Sequence, residues 1–163
     1  MQIRHAVIAD LPSIVAIYNA SIPGGMATAD TQPVKVTDRQ QWFGNHDPNR
    51  YPLWVAVEDR RVTGWLGLSA FYDRPAWNPT VELSLYVHPD HQRRGTGRSL
   101  VTHAIECAPP LGISTILALV FAHNRPSLDL LQAQGFAQWG LLPRSAHMPE
   151  GRRDVVLLGL EIS

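Results

Sequence analysis

The segment from Val81 to Leu100 constrains this chain more than any other. It opens as a β-branched and aromatic strand, Val81-Glu82-Leu83-Ser84-Leu85-Tyr86-Val87, and turns through His88-Pro89-Asp90. After Gln92-Arg93-Arg94 it reaches Gly95-Thr96-Gly97. Behind the glycines, Leu100, Val101, Ala104, Ile105 and Ala108 recur at helical spacing. Glycines at such a junction let backbone N–H groups approach a ligand, and a helix N-terminus carries partial positive charge. An anion, most simply a pyrophosphate, is expected there.

Two phosphate-binding patterns do not fit. A dinucleotide loop needs a third glycine or small residue where Leu100 stands, and an acid about 20 residues on, where Ile116 to Val120 is apolar. A P-loop needs Gly-Lys-Ser/Thr, which is absent. What remains is Gln92-x-x-Gly95-x-Gly97 after a strand. Downstream lies a second apolar strand, Ile113 to Phe121. Asn124, Pro126 at a first helical position, and Gly135-Phe136 at a helix end follow it. The two motifs in this order resemble those of the GCN5-related N-acetyltransferases (GNAT), where the first cradles the pyrophosphate of acetyl-CoA. Ile14-x-x-Ile17-Tyr18-Asn19, Arg39-x-x-Trp42-Phe43, Arg74, Thr80-Val81-Glu82, Tyr86-Val87-His88-Pro89 and Arg153-Asp154-Val155 are similar to the phosphinothricin and methionine-sulfoximine acetyltransferases. That subgroup acetylates the α-amine of small amino-acid analogues.

The 163 residues suit one domain, 1–163, with a proper core. A formal net charge of +0 at pH 7 gives no reason to expect nucleic acid or a membrane as partner. One cysteine, Cys107, excludes an internal disulfide and reads as a buried thiol. No signal-like N-terminus or spanning apolar run is visible, so a cytoplasmic location is expected. Along the chain, residues 2–7 read as a strand, and Asp10 as the N-cap of a helix with Leu11, Ile14, Val15 and Tyr18 on one face. Residues 21–33 read as loop, and Thr37 as the cap of a second helix. Leu53 to Glu58 and Val62 to Phe71 form a hairpin around Asp59-Arg60-Arg61, and Val155 to Ile162 is a closing strand. Periodicity supports an α/β chain with a mixed sheet. The resemblance implies the GNAT fold, a mostly antiparallel sheet of about seven strands flanked by about four helices.

The resemblance also assigns roles. Leu85, Tyr86 and Val87 would hydrogen-bond pantetheine where their strand splays from its neighbour at a bulge. The Val87 N–H would meet the developing oxyanion. Gln92, Arg93, Arg94, Gly95, Thr96, Gly97 and Arg98 would hold the pyrophosphate, and Asn124 and Ser127 the pantetheine. An exposed basic face and ordinary helix capping account equally well for the arginines and for Asn124 with Ser127. Acetyl-CoA is the implied co-substrate, with no metal and with a homodimer as the assembly. Glu82 shares a face with Ser84 and Tyr86, and is either the base that deprotonates the acceptor amine or the partner of Arg74 in an ion pair. Arg74 is the natural clamp for a substrate carboxylate, with Thr80 beside it. The loop Pro23 to Thr31 forms the opposite wall. Where many relatives carry a proton-donating Tyr or His, this chain has Leu131, so either solvent protonates the leaving thiolate or another residue, His123 or His88, takes that place. His88-x-x-His91 with Asp90 lacks the further ligand a metal site needs. A protein, peptide or polyamine acceptor, and a catalytically silent acyl-CoA-binding domain, are the alternatives to an amino-acid acetyltransferase.

Overall fold

The computed structural model describes all residues, Met1–Ser163. Seven strands, β1 (Gln2–His5), β2 (Leu53–Glu58), β3 (Arg61–Ala70), β4 (Thr80–Val87), β5 (Thr115–Phe121), β6 (Ala137–Met148) and β7 (Gly151–Glu161), form one sheet in the order β1-β2-β3-β4-β5-β7-β6. Four helices, α1 (Leu11–Ser21), α2 (Gln40–Gly44), α3 (Thr96–Cys107) and α4 (Arg125–Ala133), flank it. Every neighbouring pair is antiparallel except β4–β5. No helix is long and apolar enough to cross a membrane.

Strand alternation divides the core between the two faces of the sheet. On one face Leu66, Leu68, Val81 and Leu83 pack with Leu100, Val101 and Ala104 of α3 and Leu128 and Leu131 of α4. On the other, Val55 and Trp65 pack with Ile14 and Ile17 of α1, and the Trp65 indole N–H donates to the Ile14 carbonyl at 3.1 Å. Each fully buried leucine or isoleucine contributes roughly 1.5–3 kcal/mol. The β2–β3 hairpin turns at Asp59 and Arg60, both at positive φ (50° and 64°), which matches the twist of a two-residue hairpin. Arg61 is therefore the first residue of β3, not part of the turn.

Two expected helix caps are replaced by other contacts. Asp10 precedes α1 but makes no cap bond to it. Its carboxylate takes a fork from Arg4 (2.7 and 3.0 Å) and the Val7 N–H (2.8 Å). Burial pushes Asp10 upward, yet the Arg4 bonds and the Val7 N–H outweigh it and hold the pKa below the ordinary carboxylate value. Thr37 lies inside a 3-10 turn, Val36–Arg39, and makes no cap bond; Asp38 instead accepts from the N–H of Lys35, the residue before the turn. Other boundaries move by a few residues: β1 stops at His5, β5 starts at Thr115, and β7 begins four residues earlier than Val155. Pro126 is the second helical residue of α4.

One feature of the sheet matters most for function. The β3–β4 ladder runs without a register shift from Ala70↔Val81 to Gly64↔Val87, whereas β4 and β5 pair only from Thr80↔Thr115 to Glu82↔Leu117. Beyond Glu82 the two parallel strands part, and no bulge in the β3–β4 ladder is required.

Candidate active site

The parting strands open a cleft of about 270 Å³. Its walls are Glu82 to Tyr86 of β4, Ala118 to Phe121 of β5, Met26 to Ala29 of the α1–α2 loop, and Asn124, Ser127, Leu130 and Leu131 at α4. The ladder fixes which backbone groups face it. The His88 N–H donates to the Thr63 carbonyl at 2.8 Å, so Thr63 and His88 are a hydrogen-bonded pair. Alternation then makes Gly64↔Val87 and Leu66↔Leu85 non-hydrogen-bonded pairs. The peptide groups of Leu85 and Val87 therefore point away from β3 and into the gap left by β5.

At one end of the gap lies the glycine turn. Arg93 and Gly95 both adopt positive φ (62° and 83°), which glycine tolerates and arginine adopts at some cost. Gly95 precedes α3, and no side chain caps the helix. The N–H groups of Thr96, Gly97 and Arg98 thus have no intrahelical acceptor. A Cβ on Gly97 would lie 3.1 Å from Leu130 Cδ1 and 3.5 and 3.6 Å from Leu85 and Val87 side chains. Gly64 is equally tight, with Tyr86 O at 3.1 Å and Thr96 Cγ2 at 3.2 Å. These two glycines let α3 settle onto β3 and β4 beside the gap. Gln92, Arg93, Arg94 and Arg98 are exposed, and none of the three arginines forms an ion pair. Open space, free N–H groups and unpaired cations fit a pyrophosphate.

At the other end stands Glu82. Its carboxylate has no hydrogen-bond or ion-pair partner, and burial raises its pKa above the ordinary carboxylate value. The ion pair with Arg74 is not formed. Arg74 is exposed, packs 5.4 Å from the centre of the Tyr72 ring, and donates to the Asp73 carbonyl. Arg74 and Thr80 lie near the start of β4 but do not line the cleft.

The α1–α2 loop is strapped over the gap from both sides. Tyr86 Oη donates to Ala27 O (3.2 Å), Asn124 Nδ2 to Met26 O (3.0 Å), and His123 Nε2 lies 3.1 Å from Gly25 O. Asn124 also accepts from the Ser127 N–H at 3.3 Å, so it caps α4 while it holds the loop. Tyr18 Oη bonds Thr28 Oγ1 at 2.7 Å and Asp30. Burial, with Tyr18 and Asp30 nearby, keeps the Tyr86 phenol firmly protonated. Leu131 is buried at the cleft wall, and neither His88 nor His123 lines the cleft. His88 Nδ1 accepts the Asp90 N–H. Cys107 sits on α3, and burial raises its thiol pKa.

A second cavity, of about 160 Å³, adjoins this cleft along Ser84 and Tyr86. Ile14, Val15, Tyr18, Val34, Arg39, Trp42 and Trp65 complete its lining. The sequence carried a signal for it: Arg39-x-x-Trp42 places a cation and an aromatic on one side of a helical turn. Without the tertiary contacts, nothing connected that pair to Ser84 or Tyr86.

Comparison with known proteins places this geometry. The model of the acetyltransferase (GNAT) family matches residues 13–136. The chain is 44% identical over 164 residues, covering all of both chains, to "Putative phosphinothricin acetyltransferase YwnH" of Bacillus subtilis. It is 33% identical to the L-methionine sulfoximine/L-methionine sulfone acetyltransferase of Pseudomonas aeruginosa, over 87% of this chain and 83% of that one. The crystal structure of a GNAT superfamily phosphinothricin acetyltransferase from Sinorhizobium meliloti in complex with acetyl-CoA superposes with a TM-score of 0.93 at 29% identity. That match covers 99% of this chain and 88% of the other. The parted parallel strands, the glycine turn on α3 and these matches agree: the chain is an N-acetyltransferase of the GNAT family.

Proposed function

We propose that the protein transfers the acetyl group of acetyl-CoA to the α-amine of a small amino acid or amino-acid analogue, by direct attack within a ternary complex. The observation that carries this reading is an unpartnered, half-buried Glu82 in the same cleft as the inward-facing peptide groups of Leu85 and Val87. On this reading the N–H groups of Gln92 to Gly97 and the charges of Arg93, Arg94 and Arg98 hold the pyrophosphate. Leu85 and Tyr86 with Asn124 and Ser127 guide the pantetheine arm, and the Val87 N–H receives the thioester oxygen as negative charge develops on it. Glu82 takes the ammonium proton directly or through one water, leaving a neutral amine. Its nitrogen bonds to the carbonyl carbon, and the carbon–sulfur bond breaks. Leu131 donates no proton. The departing thiolate, a stronger base than a cysteine thiolate, is protonated by solvent. Arg74 clamps the acceptor carboxylate, with Thr80 adjoining, once the exposed 71–79 loop turns it toward the start of β4.

The names of the relatives support this acceptor class over a protein, a peptide or a polyamine, since all three reported above are named for amino-acid analogues. The test is thiol release from acetyl-CoA with methionine sulfone, methionine sulfoximine, phosphinothricin, a polyamine and short peptides. Turnover is expected with the α-amino acids and should collapse in Arg74→Ala. Tight acetyl-CoA binding without turnover of any amine would instead identify a silent binding domain.

We also infer a homodimer through β6. This twelve-residue strand forms one edge of the sheet and exposes Trp139, Leu141 and Leu142, each nearly half accessible. Long apolar edges of this kind are normally paired or covered. Sedimentation as a monomer at micromolar concentration would reject it.

A further inference from the structure

The cavity beside the cleft has a composition that acetyl-CoA binding does not explain. Tyr18, Trp42, Trp65 and Tyr86 wall it, and Arg39 is its one charged lining residue. The Arg39 guanidinium lies 5.0 Å from the centre of the Tyr18 ring and 5.9 Å from that of Trp42. Two aromatic faces thus orient it. Its only hydrogen bond is long, 3.4 Å to Asp30 Oδ2, and Asp30 is already engaged by Tyr18. Most of the five guanidinium N–H donors are therefore free. The Ser84 hydroxyl, on the boundary with the catalytic cleft, makes no hydrogen bond within the protein. A cation fixed between aromatic rings, with donors to spare and a free hydroxyl close by, is suited to oxygen atoms at the end of an apolar stem.

We propose that Arg39 reads the tip of the acceptor's side chain and selects an amino acid ending in an oxygen-bearing group, such as a sulfone, a phosphinate or a carboxylate. This rests on the reading of Glu82 as the site of the acceptor amine. The order along β4 then follows: Thr80 with Arg74 at the α-carboxylate, Glu82 at the amine, and Ser84 and Tyr86 along the side chain toward Arg39. All four strand residues share one face of the sheet. The aromatic walls take the methylene stem, and the guanidinium takes the oxygens. An acceptor of the same shape without those oxygens leaves the donors unpaired in a partly desolvated box, and is disfavoured on that account.

Methionine sulfone and methionine form the test pair, because they differ only in two oxygens at the tip. The readout is the ratio of their kcat/KM values. The wild-type protein is expected to prefer the sulfone by roughly 10- to 100-fold, the range of a charge-assisted hydrogen bond. Arg39→Met, which keeps the packing stem, should bring the ratio to within about threefold of unity. Arg39→Lys should fall between, and it carries the test if Arg39→Met melts early. If Arg39 merely braces the loop through Asp30, both acceptors suffer alike and the ratio survives, which overturns the proposal. So does a wild-type enzyme that accepts the two equally. A wild-type protein that acetylates no amine at all rejects the acetyl-transfer reading beneath it, a different and distinguishable failure.

Discussion

The two ends of the cleft are built on different principles. At the proposed pyrophosphate end the features are those of the backbone: Gly95 at positive φ, the uncapped N–H groups of Thr96 to Arg98, and two glycines with neighbours at 3.1 Å from a Cβ. At the proposed acceptor end they are those of side chains drawn from far apart in the chain: Tyr18, Asp30, Arg39, Glu82 and Tyr86. On the proposed reading the first end serves one co-substrate and tolerates little change. The second can be retuned one side chain at a time, which suits a family whose members differ in the amine they accept.

The sharpest way to break this contrast is Glu82→Gln, because at the acceptor end one carboxylate is asked to move the proton. Loss of a positioned general base costs roughly 10²- to 10⁴-fold in turnover, and acetyl-CoA affinity should stay within error. The raised pKa adds a second readout. Burial penalises the ionised carboxylate in the folded state alone. Glu82 therefore lowers stability once the pH rises through its folded pKa, and costs nothing below the unfolded value. Glu82→Gln should melt higher than wild type at neutral pH and match it near pH 4. Wild-type kcat/KM should fall on acidification at a pH above the usual carboxylate range, and that limb should vanish in the variant. Equal melting at neutral pH would mean that the carboxylate is solvated after all.

Gly97→Val tests the other end. Its new methyl groups would press on Leu130, Leu85 and Val87, costing about 1–3 kcal/mol by overpacking. Here acetyl-CoA binding should weaken together with thermal stability, whereas the selectivity among acceptors should hold. A shift in that selectivity would show that the two ends are coupled. The smallest expected effects are those of Arg93→Ala, Arg94→Ala and Arg98→Ala. Each should weaken acetyl-CoA binding by no more than about fivefold, an effect that fades with added salt. A larger loss would move recognition from the backbone to these side chains.

This division explains what could be read from the chain alone. The succession of strands and helices along the chain, the glycine turn and the strand parity of Glu82, Ser84 and Tyr86 follow from local pattern, and the structure reproduces them. Asp10 misled because an N-cap signal says nothing of Arg4, six residues earlier, which captures the carboxylate. Thr37 misled because the turn already begins at Val36, so Thr37 lies inside it and the residue before the turn is Lys35, whose N–H the Asp38 carboxylate takes. The splay of β4 from β5 is set by how far each neighbour's ladder extends, a tertiary fact. The same limit hid the Arg39 box. Arg39 and Trp42 are local partners, but Tyr18 and Ser84 reach them only through the packing of α1 on β3 and β4.

The most direct measurement is a crystal structure with acetyl-CoA bound. Expected is a pyrophosphate on the N–H groups of residues 92–97, and the thioester oxygen about 2.7–3.2 Å from the Val87 nitrogen. The acetyl carbon should lie in the gap on the side of Glu82. A pantetheine arm that bypasses the parted strands, or a thioester that meets neither Val87 nor the side of Glu82, would contradict it.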